Sequence, residues 1–181
     1  MRYTIDQRAS KFTAKAFAGG MLSSFGHNPT FAIRKFDGEA EFDGNGTGSL
    51  DLTIGADSLE LMDDVPKRDR WDIIRVMNEE LLETSRFPEI AYHCPASKVT
   101  AKSVGPGRYD VTLNGDLTLH GVTRSQPVLA HVVTGDGTIR AYGDLMLKQP
   151  QYGMKHVTAA GSMISVKDEV KLAFDIVARN K

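Results

Sequence analysis

The chain has 181 residues, of which 41% are hydrophobic and 25% are charged, and its formal net charge is −1. This composition is that of one globular domain, residues 1–181, and it excludes a disordered chain and the strongly basic surface of most nucleic-acid-binding domains. The single cysteine, Cys94, excludes an intrachain disulfide and a zinc site built from cysteines.

Membrane insertion and export both require characteristic apolar segments, and neither is found in the sequence. No apolar run approaches the roughly 20 residues that a transmembrane helix needs. Residues 1–17 contain no apolar core of the kind found in signal peptides. We therefore expect a cytoplasmic protein that neither spans a membrane nor binds nucleic acid.

Alternation of apolar and polar residues predicts β-strands along most of the chain. In chain order, the clearest alternating segments are residues 31–33, 50–54, 111–119, 139–147 and 170–178. Glycine-containing turns separate such segments at residues 44–46, 105–107 and 135–137. So many one-sided strands in one domain must pair two sheets or close into a barrel. The sequence therefore predicts an all-β, antiparallel fold.

One segment in the middle of the chain breaks the alternation. Trp71, Ile74, Met77 and Leu81 recur at three- and four-residue spacing, which predicts an amphipathic helix near residues 69–83. The apolar stripe of this helix must pack against another apolar surface of the protein. A barrel mouth or a sheet face is the available partner, so these residues are expected either to cover a core or to form a lid over a ligand.

Glycines interrupt the apolar face of the predicted sheet. Gly115 lies between Leu113 and Leu117, and Gly143 lies beside Leu145. Glycine inside a strand suits a bend or a close approach of another group to the backbone, so a strongly curved sheet is favoured. Small inward residues would also leave an apolar volume that an apolar guest could enter. The same alternation is typical of a core filled by its own side chains, so both interpretations stay open.

Sequence motifs for catalysis or metal binding are missing. The five histidines form no HxH or HExxH pair, no GxSxG motif occurs, and the glycine-rich segment 44–48 lacks the lysine of a phosphate-binding loop. We therefore predict no catalytic residue, no metal ligand and no cofactor. His27, in a Gly-His-Asn-Pro turn, is interpreted either as a hydrogen-bonded loop residue or as a contact for a polar headgroup. His120 shares its strand face with Asp116 and Thr118, which predicts a solvated side chain.

Several motifs follow one another in a fixed order over almost the whole chain. They are YTID and SKF near the start, FDGEAEF at 36–42, RFPEIAY at 86–92, LNGDLTLHGVT at 113–123 and LKQPQYGM at 147–154. In this order they resemble the YceI-like family, lipocalin-like barrels associated with polyisoprenoid lipids. The resemblance implies an antiparallel lipocalin-like β-barrel with one amphipathic helical insert, and a homodimer is compatible with it. Better-known members of the family are exported to the periplasm.

The function that the resemblance implies is non-enzymatic. The barrel would bind, sequester or transport an amphiphilic isoprenoid-type lipid, such as a quinone or a polyprenyl phosphate, as a ligand rather than a cofactor. The candidate ligand-binding residues are Phe25, His27, Phe31, Ile33, Trp71, Ile74, Met77, Leu81, Phe87, Ile90, Tyr92, Leu117, Leu119, Leu145, Leu147, Tyr152 and Met154.

Two other functions stay open at this point. A barrel filled by its own side chains would serve as a stress-response or interaction module. A barrel that places His27 beside a bound lipid would be a lipid-modifying enzyme, although the missing nucleophile and metal motifs argue against it. Lipid that co-purifies with the native protein would distinguish a carrier from a filled barrel.

Overall fold

The computed structural model of the protein describes residues 1–19, 28–44, 47–155, 158–159 and 164–180. Within these residues the fold is all-β, and eight strands close into an antiparallel barrel that carries one short helix. The predicted barrel with a helical insert is thereby confirmed. The predictions for Phe25 and His27, and part of the predicted turn at 44–46, lie outside the described residues.

The strands follow one another along the described chain with short connections. They are β1 (Arg2–Ile5), β2 (Lys11–Gly19), β3 (Thr30–Ile33), β4 (Phe36–Phe42), β5 (Gly48–Gly55), β6 (Leu59–Leu61), β7 (Glu89–Cys94), β8 (Val99–Gly105), β9 (Arg108–Leu119), β10 (Val122–Gly135), β11 (Thr138–Lys148), β12 (Thr158–Ala159) and β13 (Ile164–Asn180). The helix α1 (Lys67–Arg75) continues into a π-helical turn, Val76–Leu81. Single 3-10 turns lie at Gln7–Ala9, Ala56–Ser58, Ala96–Lys98 and Gln149–Tyr152.

The barrel closes because β1 pairs with both β4 and β13, where Tyr3 lies opposite Ala40 on one side and opposite Asn180 on the other. The ring runs β1, β4, β5, β7, β9, β10, β11 and β13, and every pairing in it is antiparallel. β2, β3 and β6 continue the sheet beyond β13, so β13 pairs with β1 near its end and with β2 before that. One edge of the long strand β13 is therefore divided between two partners, first β2 and then β1.

Two hairpins of the barrel have the turn chemistry that tight antiparallel pairing requires. Asp136 and Gly137 join β10 to β11 with φ values of 45° and 71°, and His120 and Gly121 join β9 to β10 with values of 52° and 73°. Two successive positive φ angles define the type I′ turn, whose twist matches that of the flanking strands. The turn predicted at 135–137 is thus confirmed.

The helical insert differs in detail from the predicted amphipathic helix. No residue of α1 is buried, whereas Met77 and Leu82, in and after the π-helical turn, pack into the core. Trp71 is 64% exposed, and its ring lies under the Arg75 guanidinium at 5.7 Å. Six residues at about 100° each place Trp71 about 120° away from Met77, at the edge of the apolar stripe. Ile73 and Ile74 in α1 are half-buried against the core, and full burial begins at Met77 in the π-helical turn.

Two hydrophobic clusters occupy the two ends of the barrel. At the end that carries the β10–β11 turn, Tyr3, Phe42, Val111, Val132 and Ile139 pack together, and we call this the packed end. At the other end the core includes residues of the π-helical turn and of the 3-10 turn Gln149–Tyr152, and we call this the helix end. Between the two ends the strands enclose a space that their side chains do not fill.

Candidate functional site

The interior of the barrel contains a cavity of about 240 Å³. Its wall consists of inward-facing side chains that are almost all aliphatic or aromatic. An eight-stranded barrel is just wide enough for its own side chains to fill, so the small residues among them open the space. These small residues are Ala14, Ala16, Ala40, Ala130, Ala141 and Ala178. Apolar cavities of this kind stay dry and accept apolar guests.

The cavity wall brings together most of the residues that the sequence singles out as ligand-binding. Those that line the cavity are Phe31, Ile33, Met77, Leu81, Ile90, Tyr92, Leu117, Leu119, Leu145, Leu147 and Met154. They come from strands, from the π-helical turn and, for Met154, from the segment after the 3-10 turn Gln149–Tyr152, and in the strands they share the inward side of the alternation. Phe25 and His27 lie outside the described residues.

Four other residues of that set do not line the cavity. Trp71 is exposed, as described above, and Ile74 packs half-buried against the core of the helix end. Phe87 packs against the His120 ring in a tilted arrangement, with 4.3 Å between ring centroids. Tyr152 is only 1% exposed and belongs to the core of the helix end. Ile74 and Tyr152 thus belong to the core of the helix end rather than to the cavity wall.

The sequence interpretation overlooked part of the wall. Inward residues of β5 and β13 belong to it, and the same alternation could have identified them, namely Leu50, Leu52, Ile54, Val170, Leu172, Phe174 and Ile176. Gln126 and Gln149 also line the cavity. No apolar pattern identifies a glutamine as inward-facing, so these two polar positions required the structure.

Tyr92 supplies a buried polar group to this apolar wall. Its hydroxyl lies 3.0 Å from the carbonyl oxygens of Leu113 and Gln126, and it accepts a hydrogen bond from the Gly115 N–H at 3.0 Å. Burial raises the pKa of Tyr92 to about 12, so the phenol stays protonated at neutral pH. The hydroxyl is satisfied by backbone partners and therefore acts as a structural group.

Gly115 makes this arrangement possible. A Cβ atom on residue 115 would lie 2.6 Å from Cζ of Tyr92 and 2.6 Å from the carbonyl oxygen of His93. Both distances are far below van der Waals contact, so only glycine lets the tyrosine ring approach the strand. The prediction that a glycine on the apolar face marks a close approach is confirmed at this position.

His120, in the β9–β10 turn, forms a hydrogen bond with Glu83, which follows the helical insert. Its Nε2 atom lies 2.6 Å from Oε2 of Glu83, and its side chain is 10% exposed. The hydrogen bond from His120 is the main cause that lowers the pKa of Glu83, and Arg86 adds to it. The prediction of a solvated His120 is wrong because residue 120 belongs to the two-residue turn, where strand alternation no longer applies.

The described residues contain no group of three or more histidine, cysteine, aspartate or glutamate side chains arranged to hold a metal ion. Cys94 is fully buried, and burial raises the pKa of its thiol, which disfavours the reactive thiolate. In the parts of the chain that are described, no helix has the length and apolar character needed to cross a membrane.

Comparison with known proteins gives a family and a fold. The model of the YceI-like domain matches residues 3–178. A curated protein of Shewanella denitrificans, called "UPF0312 protein", is 30% identical over 108 residues, which cover 58% of this chain and 49% of that protein. The chain thus spans about half the length of this curated relative.

Solved structures share the fold at low sequence identity. A polyisoprenoid-binding domain from Saccharophagus degradans has a TM-score of 0.69 at 17% identity and covers 99% of this chain and 98% of its own. BcnA from Burkholderia cenocepacia has a TM-score of 0.66 at 22% identity, over 96% and 98% of the two chains. The Campylobacter jejuni YceI protein has a TM-score of 0.56 at 14% identity, over 82% and 83%. With a family match over nearly its full length and this barrel, the chain belongs to the YceI-like family.

Proposed function

We propose that the protein binds an amphiphilic isoprenoid-type lipid inside the barrel and sequesters or transports it without chemical change. The observation that carries this proposal is the apolar cavity of about 240 Å³ that the barrel's own side chains leave empty. A filled interior would favour the interaction module instead. The name of the Saccharophagus degradans structure, a polyisoprenoid-binding domain, supports the same ligand class.

The energetics of such a cavity suit a long apolar tail. Burial gains about 0.8 kcal/mol per CH₂ group, so one five-carbon isoprene unit contributes about 4 kcal/mol. Association costs roughly 4 to 15 kcal/mol in lost freedom of motion. A short prenyl group therefore only offsets this cost, and useful affinity requires several units in the cavity.

The polar groups of the wall support binding rather than catalysis. Gln126 and Gln149 carry amides that do not titrate, and the pKa of Tyr92 is raised to about 12. A general acid or base works best with a pKa near the working pH, which none of these three groups has. An enzyme acting through His27 is the competing function, and turnover of a bound prenyl lipid that His27→Ala abolishes would favour it.

Filling the cavity tests the proposal directly. We expect mass spectrometry of an organic extract of natively purified protein to detect a prenyl lipid, and Ala141→Phe to lose it because Ala141 lines the cavity. Ala173→Phe is the matched control, since residue 173 lies on the outer side of β13, between the inward Leu172 and Phe174. Equal lipid content in the two variants, or no lipid in the wild type and no binding of added geranylgeraniol, would contradict the proposal.

We also propose that two copies of the chain associate through the outer face of β10 and β11. Leu129, Tyr142 and Met146 are exposed there, beside Arg140 and Asp144, which carry opposite charges. A two-fold contact brings the same patch together with itself, so a patch with both signs of charge can be self-complementary. We expect Leu129→Lys to convert a dimer to a monomer in sedimentation velocity, and Met62→Lys, at another exposed apolar residue, to leave it dimeric. A wild-type monomer at all concentrations would contradict this.

A further inference from the structure

The inward row of β10 changes from apolar to charged as it approaches the helix end. Ala130 and Val128 line the cavity, and so does Gln126, the next residue on the same side. The β9–β10 pairing is regular from Val122 to Val133, so Arg124 continues this row. It lies opposite Leu117, whose side chain also lines the cavity. Arg124 is therefore a cationic residue at a position of β10 where the alternation predicts an apolar one.

A second element brings polar groups to the same place. The 3-10 turn Gln149–Tyr152 packs against the start of β10, and Gln149 is only 5% exposed while lining the cavity. Its side-chain amide donates to the Lys167 carbonyl at 3.4 Å, which is a long hydrogen bond. The positive charge of Arg124 lowers the pKa of Tyr152 against the larger effect of burial, so the guanidinium lies near this turn.

Arg124 also differs from four other exposed arginines. Arg2, Arg34, Arg140 and Arg179 each form an ion pair with a carboxylate. Within the described residues, Arg124 is exposed and has neither an ion pair nor a side-chain hydrogen bond. Its fork of N–H donors is the side-chain geometry that best matches a phosphate or carboxylate group.

We propose that Arg124, together with the amides of Gln126 and Gln149, binds the headgroup of the lipid and selects an oxyanion over a neutral head. The preferred ligand is then a prenyl phosphate or prenyl carboxylate, and a quinone or prenyl alcohol binds more weakly. This inference rests on the proposed function, because it places a headgroup at the helix end of a cavity that holds the tail.

A length-matched pair of ligands tests the inference by isothermal titration calorimetry of delipidated protein. We expect geranylgeranyl phosphate to bind more tightly than geranylgeraniol. R124Q should lower the affinity for the phosphate roughly ten- to a hundredfold, the range expected for a hydrogen-bonded charge, and should leave the affinity for the alcohol unchanged. R124K should give an intermediate loss because it keeps the charge without the fork of donors.

The controls separate this inference from the proposed function. R108Q removes an arginine from the outer face of β9 at the packed end and should change neither affinity. Equal wild-type affinity for the two ligands, or an equal loss of both in R124Q, would overturn the headgroup assignment alone. Failure of the wild type to bind either ligand would overturn the proposed function with it. Arg124-dependent binding of inorganic phosphate alone, without any preference for the prenyl phosphate over the alcohol, would identify a free-phosphate site and overturn the assignment to a lipid.

Discussion

The two ends of the barrel are closed by different means. At the packed end, side chains of the strands themselves fill the interior, and Phe42 meets Tyr109 edge to face at 5.1 Å. At the helix end, the π-helical turn and the 3-10 turn Gln149–Tyr152 supply the cover, although neither belongs to the sheet. The residues that close the packed end belong to strands, which backbone hydrogen bonds hold in the sheet. The elements that close the helix end are held by side-chain packing and a few polar contacts. We therefore expect the ligand of the proposed function to enter at the helix end.

The largest difference between the two regions should appear on truncating one large side chain in each. Phe42→Ala removes a buried ring from the packed end, and we expect a loss of about 3 to 5 kcal/mol in the free energy of unfolding. Leu145→Ala only enlarges a cavity that already exists, because Leu145 lines it. The loss in the free energy of unfolding should therefore be near or below about 2 kcal/mol, the lower bound for leucine-to-alanine truncations in a core. Urea denaturation of both variants measures this, and equal losses would contradict the comparison.

A smaller effect is expected from the hydroxyl in the middle of the barrel. Tyr92→Phe leaves the Gly115 N–H and the carbonyls of Leu113 and Gln126 without this partner, and should cost about 1 to 3 kcal/mol in unfolding free energy. Tyr142→Phe removes an exposed hydroxyl on the outer face and should change the stability little. If the two variants lose the same amount of stability, the buried hydrogen bonds do not have the role assigned to them.

The smallest effect should be local to the helix end and dependent on pH. The pKa of Glu83 is lowered from its ordinary value of 4.5, mainly by the hydrogen bond from His120. A carboxyl group with a lowered pKa in the folded state stabilises the fold above its unfolded pKa, and that stability is lost as the pH falls through the folded pKa. Below about pH 4.5, the protection factors for amide hydrogen exchange of residues 76–82, corrected for the intrinsic exchange rate at each pH, should therefore fall in the wild type.

Glu83→Gln is the matched variant for this titration. The protection factors of residues 76–82 in this variant should already be lower at neutral pH and should change less as the pH falls. The packed end has its own carboxylate with a lowered pKa, Asp6 beside Arg179. The pH dependence of hydrogen exchange at the packed end should therefore be the same in the wild type and in Glu83→Gln. A response of the helix end that is identical in wild type and variant would show that Glu83 does not control it.

The sequence was sufficient where a regular period governs the structure. The alternation along β9 and β11 places Leu117, Leu119, Leu145 and Leu147 on the inward side, where the cavity lies. The ordered motifs indicated the family, which the match over residues 3–178 confirms. A period of two survives in a barrel because inward and outward residues must alternate along each strand.

Where the regular period stops, the sequence misled. Strand parity predicts a solvated His120 although this residue belongs to a two-residue turn, and helical parity predicts an inward Trp71 although its side chain lies exposed at the edge of the stripe. Gln126 and Gln149 could not be recognised because a polar residue on an inward position has the same sequence signature as a residue on an exposed one. In each case the sequence lacks the identity of the residues that surround the side chain in three dimensions.

The contact between Tyr92 and Gly115 has a consequence for how the chain finds its fold. A slip of two residues along β9 would place Leu113 or Leu117 under the tyrosine ring, where even one added carbon atom collides. The β9–β10 hairpin can form from neighbouring residues alone, but β7 can dock onto it in one alignment only. Tyr92 thus disfavours every slipped alignment of β7 against β9 and helps to fix the register of the barrel.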